Sequence, residues 1–307
     1  MNIKLLLLML FVILSLPLSA EEMLDYKRVV TDIPTTSKKF LKTAFSKEAI
    51  GPWMTIFGST AVLFAYDEEL LESSQRAGRD LGIGNGDATE TIIEIRGQDI
   101  LRLPTDTASG LYFLGDGWLH GSIAAGFIIN GYSNQAARPY NTGLQLAHGM
   151  FVSTIFNQAL KRSFGREDPN FASEKRGAWR PFPSFKAYND ESAKYDAMPS
   201  GHVMTATLMF TVVTLNYPEY AYLTWPVGIT WITVLSFQMM NNGVHWASDY
   251  PLGIAMGYLA GKLAYEMVHP EKPEVDAQDK NKQQEPEVAF YPAVTPEGST
   301  LNLIYSF

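Results

Sequence analysis

Three short stretches hold side chains suited to phosphoryl transfer. In Met198-Pro199-Ser200-Gly201-His202, an apolar run begins immediately after the histidine. Ser200 is a good N-cap for a helix starting near Val203, and Pro199 fixes the chain's approach. The unpaired N–H groups of such a helix start attract anions. Gly201 lets backbone approach closely, and His202 falls in the first turn facing the same point. The same residues also suit an ordinary cap. The second stretch is Gly243-Val244-His245-Trp246-Ala247-Ser248-Asp249. A carboxylate four residues after a histidine lies across one helical turn and accepts the proton of one ring nitrogen. The other nitrogen then presents its lone pair, as a nucleophile or base requires. Asp249 also suits the cap of a helix at Tyr250-Pro251. The third is Lys161-Arg162-Ser163-Phe164-Gly165-Arg166-Glu167, a basic cluster after an apolar helix. It fits a helix dipole, and it fits a grip on phosphate oxygens.

These residues need elements that bring them together. Uncharged stretches run over Ile50–Tyr66, Gly117–Ala137, Pro139–Leu160, Val203–Pro218 and Tyr220–Met240, and a sixth, Pro251–Val268, is interrupted by Lys262 and Glu266. Their lengths suit helices, and little before residue 268 alternates with a strand period. The expected fold is all-α, one bundle of about six core helices over residues 21–268. Residues 67–107 are charged and helix-compatible in part. The helix after His202 would run roughly 24 Å before Pro218-Glu219 turns the chain, and the next returns as far. His245 therefore arrives at the same end of the bundle as His202. Lys161 ends another helix, and the long polar segment from there to Ser200 is expected to fold over that end.

Residues 1–20 read as an export signal: one charge, Lys4, then the apolar Leu5–Leu16 and a small residue before Glu21. An uncleaved anchor is the alternative, but the run is short for a span. The chain of 307 residues has no cysteine, which excludes disulfides and thiolate chemistry. Its net charge of -8 argues against a nucleic-acid partner. Tyr220–Met240 is long enough to cross a membrane, whereas the other runs carry scattered polar residues. Both a membrane-embedded bundle and a soluble one fit this hydropathy. Residues 269–287 have linker composition. Residues 288–307 hold a turn signal at Thr295-Pro296-Glu297-Gly298 and then alternate, as in a short C-terminal β-hairpin. A last outer-membrane strand also alternates this way, but one strand makes no barrel.

Taken together, the motifs resemble the type 2 phosphatidic acid phosphatase and haloperoxidase superfamily, with signatures Lys-x6-Arg-Pro, Pro-Ser-Gly-His and Ser-Arg-x5-His-x3-Asp. The second is intact at Pro199–His202, the third keeps His245 and Asp249, and the first keeps Lys161, Gly165-Arg166 and Pro169. The resemblance spans about residues 50–268 and implies the acid phosphatase/haloperoxidase type of bundle. It also implies an exported phosphoric ester hydrolase of the bacterial cell envelope, with its active end outside the cytoplasm. The substrate would be a phosphomonoester or pyrophosphate, a phosphorylated lipid or a small phosphoester, at a membrane. By the same resemblance His245 attacks phosphorus and forms a phosphohistidine. Asp249 orients His245, and His202 protonates the leaving group and then activates water. Lys161, Ser200 and Gly201 hold phosphate oxygens. No cofactor and no metal are expected.

Two positions depart from the pattern. Asp168 stands where the first signature has arginine, and Met239, preceded by Gln238, stands where the third has Ser-Arg. Losing two charge-assisted contacts weakens an anion grip strongly. Arg162, Arg166, Arg176 and Arg180 are candidates to refill it, with Arg166 nearest in sequence. The departures leave an alternative open: an impaired or non-catalytic member that binds a phosphorylated lipid or serves a structural role. They also disfavour a vanadate-dependent haloperoxidase.

Overall fold

The computed structural model describes residues 22–95, 98–270, 287–295 and 298–306. The expected export signal at 1–20 and most of the expected linker lie outside these residues. The chain divides into two compact units, Met1–His269 and Pro270–Phe307.

The first unit is built from helices. Short α1 (Arg28–Thr31) leads into α2 (Ile33–Ala44), then α3 (Ile50–Ala65) and α4 (Asp67–Asp80). After a β-hairpin come α5 (Thr107–Phe113), α6 (Gly117–Ser133) and the long α7 (Ala137–Phe164). A polar segment carries α8 (Phe185–Asp190) and returns to α9 (Gly201–Asn216), α10 (Ala221–Asn241) and α11 (Tyr250–Tyr265). The five uncharged stretches and the interrupted sixth are therefore mainly helical. α9 is the axis, with Val203–Val212 buried throughout. It packs against α11, α10, α7 and α6. Gly253, Gly257 and Gly261 recur every four residues along α11 and face the α9 backbone, so the two helices meet closely. Leu146, Val152, Leu208, Val212, Met256 and Ala264 fill the main core.

Two expectations about this unit need correction. α3 is a helix, but none of its residues is buried, and Ile50, Met54, Phe57 and Val62 are exposed. It lies at the periphery and is no core helix. Residues 67–107 are helical only as α4 and the start of α5. Between them β1 (Thr89–Ile95) pairs antiparallel with β2 (Gln98–Pro104). Thr89, Thr91, Ile92, Ile93 and Ile95 are β-branched and favour this, but interspersed charges and a broken register hide the alternation.

Among the described residues no single helix is long and apolar enough to cross a membrane. α10 has the length without the apolarity. The segments Lys47–Ala65 and Asp67–Asp80 meet the test only as a pair bent by 67°.

In the second unit, β3 (Glu287–Thr295) pairs antiparallel with β4 (Gly298–Ser306), from Glu287 opposite Ser306 to Thr295 opposite Gly298. This is the expected C-terminal hairpin.

Candidate active site

The hairpin of α9 and α10 brings the two histidines to one end of the bundle. His202 and His245 have ring centroids 6.4 Å apart and meet edge to face. Ser200 caps α9, its hydroxyl accepting from the Val203 amide at 3.4 Å. The turn after α10 needs a left-handed residue, supplied by Gly243 at φ 70°. Asn170 packs where a side chain there would lie, and its amide donates to the Gly243 carbonyl at 2.9 Å. Tyr112 on α5 covers His202 from the other side, 4.7 Å between centroids.

Behind His245 stands a buried ionic network. The Nδ1 of His245 lies 3.4 Å from Asp249 Oδ2, which also accepts from the Trp246 amide at 2.8 Å. Asp249 Oδ1 accepts from Arg166 at 2.6 Å. The other guanidinium nitrogen donates to Asp67 Oδ2 at 2.7 Å. Ser248 bridges the two, accepting from Arg166 at 2.7 Å and donating to Asp67 at 2.6 Å. Asp67, Arg166 and Asp249 are all fully buried. Burial would raise the Asp249 carboxyl, but Arg166, His245 and the Trp246 amide hold it below the ordinary carboxylate range.

Arg166 is therefore misplaced as an expected phosphate ligand. Its remaining bonds go to the Arg176 carbonyl, so all five of its N–H groups are engaged. The rings of Phe64, Trp179 and Trp246 enclose it at 5.1–5.3 Å. No donor is left for a ligand. The backbone amide of Ser200 is also engaged, donating to the Asp249 carbonyl at 3.2 Å. The Gly201 amide lies in the first turn of α9, where amides have no helical acceptor.

The segment between α7 and α9 folds over this end, as its position suggests. It turns at Gly165, φ 56°, where Arg180 approaches too closely for a side chain. Residue 166 then bridges both to Trp179 and to Asp196. Lys161, mostly buried, donates to the Asp196 carbonyl and lies 3.7 Å from the Asp196 carboxylate. Asn157, one turn earlier on the same face of α7, donates to the Pro199 carbonyl at 3.4 Å. Asp168 is buried, and its Oδ1 has no hydrogen-bond partner. Burial, then Asp196, push its carboxyl up to about 9, against the pull of Lys161.

Met239 is fully buried and packs with Val203, Ala206, Leu235 and Tyr250. It serves the apolar core. Gln238 turns the other way and donates to the carbonyl of Gly84 at 3.1 Å.

His202 is half-buried, and its imidazole is pushed down to about 3 by burial first, then by His245, Lys161 and His120. The ring is therefore neutral near neutral pH. A bound phosphate anion would reverse that preference by favouring the charged ring.

The sequence did not flag Asp67, Tyr112, Asn157 or Asp196. Asn157 carried a usable signal, since it precedes Lys161 by four residues and shares its helix face. Asp67 carried none. Within Asp67-Glu68-Glu69 it reads as an acidic helix start. Among the described residues, no group of histidines and carboxylates is arranged to hold a metal ion.

Comparison with known proteins bears on the same region. An 85-residue stretch is 35% identical to lipid A 1-phosphatase of Porphyromonas gingivalis, covering 27% of this chain and 18% of that protein. The chain thus spans less than a fifth of that relative's length. A transmembrane PAP2-type phosphatidylglycerolphosphate phosphatase from Bacillus subtilis aligns over 81% of this chain and 99% of its own, at 14% identity and a TM-score of 0.42. Residues 142–273 match the family model described as the PAP2 superfamily, and Lys161, His202, His245 and Asp249 all lie inside the matched stretch.

Proposed function

We propose that this protein is a phosphatase that hydrolyses a phosphomonoester or pyrophosphate, lipid-linked, through a phosphohistidine on His245. The observation that carries this reading is the His245–Asp249–Arg166 chain facing His202 across 6.4 Å between ring centroids. Asp249 accepts a hydrogen bond from the Nδ1–H, which leaves the Nε2 lone pair for phosphorus. Attack forms the N–P bond as the P–O bond to the leaving alcohol breaks, and His202 gives that oxygen its proton. His202 then takes a proton from water, whose oxygen attacks the phosphohistidine, releasing phosphate and restoring His245. Lys161, the Ser200 hydroxyl and the Gly201 amide remain the candidates to hold phosphate oxygens.

A lipid substrate is supported by two features beyond the relatives. A cavity of about 440 Å³ is lined by Phe40, Trp53, Phe156, Leu160, Leu252 and Leu259, among others. Leu160 is next to Lys161 in sequence and Leu252 lies three residues after Asp249, so the cavity is lined by two of the helices that also border the site. The exposed Met54, Phe57, Tyr222, Trp225 and Ile229 form surface that water disfavours and a membrane accepts. Together with the export signal expected at residues 1–20, this reading puts the protein at a bacterial membrane, its active end outside the cytoplasm.

The test is phosphate release by purified protein from lipid A, phosphatidylglycerophosphate and diacylglycerol pyrophosphate, with rapid acid quenching to trap labelled protein. The expected result is turnover on a lipid phosphate and an acid-labile label lost in His245→Ala. A second reading, a binder without turnover, is favoured by Asp168 and Met239 at the arginine positions. Lipid phosphate that binds without release or label supports the binder.

A further inference from the structure

Asp168 holds the place of an anion-gripping arginine, and its surroundings say how it could still serve an anion. It lies just beyond the Gly165 turn, with its backbone amide donating to the Ala193 carbonyl at 2.9 Å. Only 9% of the residue is exposed, and Oδ1 makes no hydrogen bond. The groups acting on it come from every side: Lys161 from α7, Asp196 from the segment before Pro199, and Asp249 from the turn before α11. Its charge is also felt by Tyr112 on α5, which packs against His202, and by Tyr188 on α8. Two cations, Lys161 and Arg166, thus stand among four carboxylates, those of Asp67, Asp168, Asp196 and Asp249. Arg166 is already shared by two of these. An ionised Asp168 would add a buried, unpaired charge and repel a phosphate. A protonated Asp168 would add an O–H donor instead, the one thing an arginine's replacement must supply.

Resting on the reading that this site takes a phosphate, we infer that Asp168 binds as the neutral acid and donates its O–H to a phosphate oxygen beside Lys161. It is then a positioning and binding group, active only while protonated. The burial and the Asp196 and Asp249 charges that raise its carboxyl maintain this state at neutral pH. At higher pH the proton is lost, the donor disappears and a repelling charge takes its place. The site therefore loses its hold on phosphate on the alkaline side, where a grip made by arginine would persist.

Sulfate is a suitable probe, because it stays a dianion across the range in question. Its affinity for the full protein is measured by calorimetry between about pH 7 and about pH 10. Wild type is expected to weaken about tenfold or more across that range, while Asp168→Asn, which keeps N–H donors and cannot ionise, weakens far less. At about pH 7, Asp168→Ala is expected to bind about tenfold more weakly than Asp168→Asn. Equal affinity of these two variants, tighter binding by Asp168→Ala than by wild type, or no sulfate binding by wild type each overturns the proposal. If either variant fails to fold, infrared spectra of wild type decide. A protonated-carboxyl band at neutral pH that shifts on adding sulfate supports it, and no such shift overturns it. A protein that binds sulfate in this Asp168-dependent way but releases no phosphate overturns hydrolysis and leaves this inference standing.

Discussion

The two halves of the candidate site are held in contrasting ways. Behind His245 the supporting groups are paired: Asp249 takes bonds from Arg166 and the Trp246 amide, and Ser248 ties Arg166 to Asp67. Around Lys161, the lysine rests on Asp196, the Asp168 Oδ1 is orphaned, and the third-signature arginine is a core methionine. A histidine aligned to attack phosphorus depends on direction, so its support is a rigid buried network. Anion grip depends on the sum of donors and charge and tolerates more rearrangement. Arg166 illustrates the division. It is a strong phosphate donor by type, yet its five bonds all go to Asp67, Asp249, the Ser248 hydroxyl and the Arg176 carbonyl.

The largest effect should come from the nucleophile. His245→Ala is expected to lower phosphate release by about 10³-fold or more, since the residual rate comes from binding alone. Steady-state release measures this, and a rate within tenfold of wild type would remove His245 from the chemistry.

Next is Arg166→Met, which leaves two buried carboxylates without their cation and should cost about 3–5 kcal/mol. Thermal unfolding should show a midpoint drop on the order of 10 °C for a domain this size. Weakened anion binding with an unchanged midpoint would move Arg166 into the pocket and break the contrast.

Met239→Arg tests the other half. Restoring the family arginine here drives a charge into the cluster of Val203, Leu235 and Tyr250. The expected outcome is a loss of about 2–4 kcal/mol in denaturant unfolding, with no gain in sulfate affinity. Tighter sulfate binding at unchanged stability would show that the pocket can still admit it.

A further effect concerns pH. The folded-state imidazole of His202 lies near 3 against an ordinary 6.5. A lowered histidine binds its proton more readily when unfolded, so its contribution is full above the ordinary value and is lost as pH falls through that window. The unfolding midpoint of wild type should therefore fall relative to His202→Gln between about pH 6.5 and about pH 4. A parallel course for the two proteins would mean that His202 is not shielded from solvent by Tyr112 and His245.

Much of the fold was legible because helix length and apolar runs are local properties. Gly117–Ala137, Pro139–Leu160, Val203–Pro218 and Tyr220–Met240 each became a helix near its expected bounds. The β1–β2 hairpin was missed because its β-branched residues alternate with charges in a broken register. The peripheral position of α3 was missed because an apolar helix reads alike whether protein or another apolar phase covers it.

The sequence by itself determined that His202 and His245 share one end of the bundle, because two helices of similar length joined by a short turn must return there. The His245–Asp249 pairing was expected from the four-residue spacing, but the chain reaches it through an extended Trp246 and a short 3-10 turn at Ala247–Asp249, not along one helix. Which arginine goes where, and what surrounds Asp168, follows from packing between distant parts of the chain. Asp67 meets Ser248 across 181 residues of sequence, and no local pattern encodes that contact. Burial, which encloses both Arg166 and Asp168, depends on everything packed around a group and exists only once the chain has folded.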